Sequence, residues 1–221
     1  MVFLEKSQPA PDCLQVEKAK VNGDYKCQNV LERIKTDFKN KCYICEYKEP
    51  TTINVEHFRP HQGNKDLKFD WNNLFWSCSH CNKIKSEKEN FLNCIVKDEN
   101  IDTKIKYFLN DDLIDNKVVV EAINTDIRTQ NTTELLKEVY NGTSLQNKFQ
   151  ARAKRNKLYD ELSEFTSLLL KYFRTEDVLK KDDLLVSIKN ELSNKSEFTA
   201  FKRWIVRSDL KYDHLKQYII D

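Results

Sequence analysis

Two pairs of cysteines bracket one short segment of this chain. The first is Cys42-Tyr43-Ile44-Cys45 and the second is Cys78-Ser79-His80-Cys81. Glu56-His57 and Asn72-Asn73-Leu74 lie between them, and Asn82 and Lys85 come directly after. Two C-x-x-C pairs supply the four thiolates of a tetrahedral zinc site. A shell of four sulfurs leaves no open position for substrate, so such a zinc is structural. It would tie together two knuckles far apart in sequence and hold the intervening residues in place.

Those residues have the makings of phosphodiester chemistry. Hydrolysis needs a base to take a proton from water and a cation to stabilise charge on the phosphate and leaving oxygen. His57 can serve as the base. Glu56 and the amide oxygen of Asn82 are hard ligands of the kind that Mg²⁺ or Mn²⁺ prefers, with water completing the shell.

The order C-x-x-C, Glu-His-x-x-Pro, Asn-Leu and C-x-x-C-Asn-x-x-Lys resembles the HNH endonuclease family, whose core is a ββα-metal fold. The narrower pattern Val55-Glu56-His57-Phe58-Arg59-Pro60, with Phe69-Asp70-Trp71-Asn72-Asn73-Leu74 after it, is similar to the PtuB HNH effectors of Septu and retron anti-phage systems. The resemblance is strong over residues 41–86, weaker over 87–157, and absent beyond 160. It implies His57 as general base, and Glu56 and Asn82 as holders of a catalytic divalent ion. It implies Asn73 as the brace of the loop carrying the base, and Cys42, Cys45, Cys78 and Cys81 as the zinc shell. Lys85 would lie near phosphate, and Arg59, Arg152 and Arg155 are further candidates for nucleic-acid contact. Asn82 stands where many members have His, a common variant, and His61 stands where Lys is expected. The resemblance also implies an ATPase partner of the PtuA type.

These residues must be positioned by secondary structure. Thr51–His57 is short, β-branched and alternating, which predicts a strand. Pro60 and Gly63 punctuate the chain after it and mark a loop. The polar stretch from Cys78 to Lys88 predicts a short helix, so the plan is strand, loop, strand, helix. Upstream, residues 1–13 read as loop, and Val30, Ile34 and Phe38 mark a helix at intervals of four. Downstream, Ile105–Leu109 and Val118–Val120 predict a hairpin, with turn residues Asn110-Asp111-Asp112 and Asp115-Asn116 between them. Asn131-Thr132-Thr133 reads as the cap of a helix that stops at Asn141-Gly142. Residues 144–173 predict one long helix with a buried stripe of Leu158, Leu162, Phe165, Leu169 and Tyr172. Two more helices are expected over 182–193 and 196–207, the last with Phe198, Phe201, Trp204 and Ile205 inward. The expected class is α+β: mainly helical, with an inserted ββα-metal finger and a small hairpin. The expected regions are 1–40 (loop and helix), 41–100 (nuclease core) and 101–221 (hairpin plus helices that could dock the partner).

Other side chains have plainer readings. Trp71 and Trp76 suit core packing better than base stacking. His61 suits an exposed position, with phosphate contact as the alternative. His80, with four cysteines already filling the shell, should face solvent or DNA. The basic run Arg152, Lys154, Arg155 and Lys157 is either a solvated face or a track for a phosphate backbone. Cys13, Cys27 and Cys94 read as small buried side chains.

Composition narrows the classes. Of 221 residues, 39% are hydrophobic and 33% charged, which suits a soluble protein with a modest core. No apolar run approaches the roughly 18 residues of a spanning helix, and Met1–Lys6 does not read as a signal peptide. The cytoplasm is therefore the expected location. Three glycines leave no Walker or dinucleotide loop. Thirty-seven basic and thirty-five acidic residues give a net charge of +2, too little to indicate nucleic acid unaided. The expected function is metal-dependent cleavage of nucleic acid, most naturally DNA. Its rivals are a stand-alone restriction-type HNH nuclease and a non-catalytic zinc module that binds nucleic acid or protein.

Overall fold

The computed structural model describes residues 1–110 and 117–220. Its two-stranded sheets are both antiparallel, and helices make up most of the rest. The first sheet pairs β1 (Ile53–His57) with β2 (Leu74–Cys78), in a register that sets Ile53 opposite Cys78 and His57 opposite Leu74. Helix α4 (Ser79–Lys85) leaves β2 directly and packs back on both strands. Every residue of β2 is buried, because this strand is covered on both faces. One cover is an aromatic cluster in which Phe75 stacks on Phe58 at 4.9 Å and meets Tyr43 and Phe38 edge-on. Trp71 and Trp76 are 2% and 7% exposed and belong to this core.

The N-terminal region buttresses that unit. Helices α1 (Cys13–Ala19) and α2 (Gln28–Asp37) lie ahead of the first knuckle, and Val30, Ile34 and Phe38 are fully buried as their spacing predicts. Helix α1 begins at the last residue of the expected 1–13 loop and precedes the expected helix, and the one-turn α3 (Lys65–Lys68) falls where loop is expected. Both are too short to show a hydrophobic period. Cys13 and Cys27 form a disulfide across the α1–α2 connection, so two of the three cysteines read as separate buried side chains are in fact joined. Cys94 is buried with a free thiol.

The second sheet pairs β3 (Ile105–Leu109) with β4 (Val118–Ala122), matching the expected hairpin. Its proposed turn residues Asp111, Asp112, Asp115 and Asn116 lie outside the described residues. Between the sheets, α5 (Ile101–Lys104) is a single turn. Helix α6 (Ile127–Asn141) begins earlier than its Asn-Thr-Thr segment suggests. Its cap is Asp126, whose carboxylate accepts from the Arg128 N–H. Thr132 and Thr133 sit buried mid-helix, and their hydroxyls donate to the Arg128 and Thr129 carbonyls. Such back-bonding lets a cap-type residue occupy a helix interior. Gly142, at φ +67°, ends α6, and a Cβ there would lie 2.6 Å from the Lys148 backbone nitrogen. Only glycine fits so tight a turn into the next helix.

That helix, α7, runs Leu145–Arg174 from a Ser144 cap. Its buried stripe is divided. Leu158 and Leu162 join the core around the β1–β2–α4 unit, whereas Phe165, Leu169 and Tyr172 join a second core. The second core also takes residues from α8 (Val178–Leu192), α9 (Thr199–Ser208) and the 3₁₀ segment Leu210–Tyr218. Helix α9 bridges both cores, with Ala200 and Phe201 in the first, beside its cap residue Phe198, and Val206 in the second. The C-terminal region is therefore built into the core that holds the β1–β2–α4 unit. No helix among the described residues is long and apolar enough to cross a membrane.

Candidate functional site

The two knuckles converge as the cysteine spacing requires. Cys42, Cys45, Cys78 and Cys81 are buried, and their sulfurs all lie within 4.8 Å of one another. Cys45 Sγ and Cys78 Sγ are 3.9 Å apart. A tetrahedral zinc with sulfurs at about 2.3 Å sets its ligands about 3.8 Å apart, so the donor set fits such an ion in number, chemistry and spacing. Backbone contacts hold the knuckles to the finger. The Tyr43 N–H donates to the Trp76 carbonyl at 3.0 Å, and the Tyr140 hydroxyl of α6 donates to the Cys45 carbonyl at 2.8 Å. The four cysteines thus form a buried group that could hold a metal such as zinc.

Glu56 and His57 close β1 and, as neighbours on a strand, point to opposite sides. His57 is half-buried. Its Nε2 lies 3.0 Å from the Lys68 carbonyl, an acceptor only, so Nε2 carries the proton and Nδ1 holds the lone pair. Its ring lies edge-on to Tyr25 at 4.5 Å and to His61 at 4.6 Å. Burial lowers the His57 pKa, against the opposing pull of the Lys68 carbonyl. A lowered pKa favours the uncharged imidazole, the form a general base uses. His61 is half-buried against His57 rather than exposed.

Asn73 spans the loop beyond His57. Its amide oxygen accepts from the Arg59 N–H, and its amide nitrogen donates to the Arg59 and Leu67 carbonyls. Arg59 itself is exposed. Lys6 supports this region from below, donating to the Trp71 and Leu74 carbonyls with its ammonium 4.1 Å from the Trp71 ring centre. Burial brings the Lys6 pKa down to about 7.

Glu56 is placed differently from an open metal ligand. It is 5% exposed, accepts a hydrogen bond from the Tyr43 hydroxyl, and lies 3.9 Å from the Lys85 ammonium. Burial pushes its carboxyl up to about 7, against the pull of Lys85 and Tyr43. Lys85 is fully buried and donates to the His57 carbonyl at 3.1 Å. Its ammonium therefore faces the strand, between the Glu56 carboxylate and the His57 carbonyl. Asn82, half-buried on α4, lies three residues before Lys85 and so near the same helix face. Among the described residues, no group of three or more Asp, Glu, His or Cys ligands converges other than the four cysteines. The Glu56–Asn82 pair in this arrangement offers no ready-made site for Mg²⁺ or Mn²⁺, because Lys85 and Tyr43 already satisfy the carboxylate.

The basic run of α7 does not form one stripe. Arg152 is exposed. Arg155 donates to the Tyr140 carbonyl at 2.6 Å, and Lys157 pairs with Glu161 at 2.8 Å. Lys154 is buried, 3.4 Å from Cys78 Sγ. His80 is also buried, with Nε2 2.9 Å from the Val139 carbonyl and Nδ1 2.7 Å from the Gln150 side chain. It fastens α4 to α6 and α7 instead of facing solvent or DNA. Sequence reasoning overlooked Tyr43, Lys6 and the inward turn of Lys154. A signal exists for Lys154, since Ala151, Lys154 and Leu158 share one face at spacings of three and four.

A comparison with protein-family models gives no match to this chain. A search of curated proteins gives none either.

Proposed function

We propose that this protein is an HNH-type nuclease that hydrolyses phosphodiester bonds of nucleic acid, with DNA as its substrate. The observation that carries the reading is the state of His57. It ends the first strand of a strand–strand–helix unit with Nε2 3.0 Å from the Lys68 carbonyl, a contact that in the neutral ring leaves Nδ1 as the acceptor nitrogen. Asn73 braces the loop beyond it. The four-cysteine group, holding zinc, would fix the strand and helix ends that bear these residues. Within this proposal His57 takes the proton from the attacking water. Mg²⁺ or Mn²⁺ is the catalytic ion that the sequence resemblance implies, and Glu56 and Asn82 would hold it only once the carboxylate exchanges Tyr43 and Lys85 for the ion.

The wider role rests on the sequence resemblance: an effector of anti-phage defence acting beside an ATPase partner of the PtuA type, in the cytoplasm. Support for partner docking comes from the C-terminal helices, where Val178, Leu179 and Val186 are 70%, 78% and 56% exposed. Leu179 and Val186, seven residues apart, share a face of α8, and contiguous exposed apolar surface marks interaction sites. Removing everything after residue 143 is no clean test of docking, because α7 and α9 supply part of the core around the finger. Leu179→Asp in the full chain is the better probe, read by co-purification with the ATPase.

A second reading is favoured by one specific observation. Tyr43 and Lys85 satisfy Glu56 internally, as they would in a non-catalytic zinc module that only binds nucleic acid. A cleavage assay separates the two. Purified protein is incubated with supercoiled plasmid and Mg²⁺ or Mn²⁺, with and without the ATPase. Divalent-ion-dependent nicking or linearisation that His57→Ala abolishes supports the nuclease. Binding without cleavage under every condition sinks it.

A further inference from the structure

Lys154 is a buried cation without a carboxylate partner. Its residue is 9% exposed, and among the described residues no Asp or Glu lies within ion-pair distance of its ammonium. The contacts it makes are Cys78 Sγ at 3.4 Å and the face of the Tyr47 ring at 4.9 Å. Burying an ammonium costs several kcal/mol unless an opposite charge faces it. Four neutral thiols are poor recompense, since a thiol sulfur is a weak acceptor. Four thiolates around one Zn²⁺ carry a net charge of −2, and their sulfurs are far better acceptors. The position of Lys154 makes physical sense only if the centre beside it is anionic.

Cys78 also differs from the other three cysteines. Cys42, Cys45 and Cys81 are fully buried, whereas Cys78 retains 3% exposure. It lines a surface cleft of about 350 Å³, together with Tyr47, His80, Gln150 and Lys154. A chelator or electrophile therefore reaches this sulfur before the others, and the Lys154 ammonium stands on the side from which it would come.

We infer that Lys154 is the built-in counter-charge of the metal–thiolate centre, hydrogen-bonded to Cys78 and retarding loss of the metal through the cleft. Lys154 belongs to α7, so the same contact links the helical region to the metal centre. The inference rests on the four-cysteine metal reading and adds to it a positioning residue outside the sulfur shell.

The test is zinc release from the full-length protein into excess chelator, monitored with a colorimetric zinc indicator. Lys154→Met keeps the stem and removes the charge. It should release zinc 10–100-fold faster than wild type, the range typical for losing a hydrogen-bond partner of a metal ligand. Lys154→Arg keeps a donor and a charge and should stay within a few-fold of wild type. Equal release from the Met variant and wild type overturns the inference. If the Met variant does not fold, wild-type protein labelled with ¹⁵N at lysine supplies the answer. A slowly exchanging Lys154 ammonium signal that disappears on chelation supports the role, and a signal indifferent to chelation overturns it. Wild-type protein that binds no zinc at all would instead defeat the underlying metal reading, a result distinct from either.

Discussion

Asn73 closes a pair of hydrogen bonds on the backbone of Arg59. Its Oδ1 accepts the Arg59 N–H at 2.7 Å, and its Nδ2 donates to the Arg59 carbonyl at 2.9 Å. A third bond, to the Leu67 carbonyl at 3.0 Å, ties the far side of the same loop. Each such bond contributes about 0.5–1.5 kcal/mol net. Three such bonds give an expected destabilisation of roughly 1.5–4.5 kcal/mol for Asn73→Ala. The loss should be local, appearing as faster amide exchange over residues 58–67 and leaving exchange in α8 and α9 unchanged. Uniform exchange changes across the chain would show that Asn73 does not act through this loop.

His57→Ala should lower cleavage by about 10²–10⁴-fold with zinc content unaltered, since His57 is outside the sulfur shell. Wild-type speed in this variant would remove His57 from the mechanism. The pH dependence comes from its burial. A base acts above its pKa, and burial lowers that of His57. The acid limb of the rate profile should lie below the ordinary histidine value of about 6.5. A limb above that value would contradict the placement of the ring.

Metal and thiol content can be counted directly. One zinc per chain is expected, and Cys78→Ser should unfold the finger, because structural zinc contributes about 10–16 kcal/mol of apparent binding energy. Denatured, chelated protein should titrate five free thiols, those of Cys42, Cys45, Cys78, Cys81 and Cys94. Seven would show that the bond between Cys13 and Cys27 is absent.

The bond between Cys13 and Cys27 spans 14 positions in sequence. Closing a loop near that length is worth about 3 kcal/mol in the chain-entropy account. The double variant Cys13→Ser, Cys27→Ser should lower the denaturation midpoint accordingly. An unchanged midpoint would mean that the native packing of α1 and α2 gains nothing from the link.

Asp102 anchors the C-terminal helices. Its carboxylate lies 2.8 Å from Arg203 and 2.9 Å from Arg207, and Arg203 is 1% exposed. Burial alone would raise the Asp102 pKa, but the two guanidinium groups outweigh it and hold the value below the usual carboxylate range. A depressed carboxylate pKa adds stability above the unfolded value of about 3.9, and that stability is lost as pH falls through the lower folded value. Asp102→Asn removes the carboxylate charge that faces Arg203 and Arg207 and should lower stability near neutral pH, by at most the roughly 3–5 kcal/mol of a fully broken buried pair. Urea denaturation at pH 7 and at pH 3 should show the gap between variant and wild type shrinking in acid. A constant gap would assign the loss to packing.

Hydrophobic spacing and cysteine spacing carry information that survives without a structure, because each acts over a few residues. The C-x-x-C pairs mark out the four-sulfur group. The alternation up to His57 marks β1, and the four-residue periods mark α2 and α7. The fate of polar side chains is decided elsewhere. Lys85 turns into the finger because β1 presents the Glu56 carboxylate and the His57 carbonyl to it. His80 is buried because α6 and α7 bring Val139 and Gln150 against α4. Lys154 meets the Cys78 sulfur across 76 positions of chain, and Cys13 meets Cys27 only because α1 folds back on α2. A charged or polar group takes its role from whatever opposite charge or hydrogen-bond partner the packing sets before it. That partner is chosen by tertiary contact between segments remote in sequence, so local pattern cannot name it.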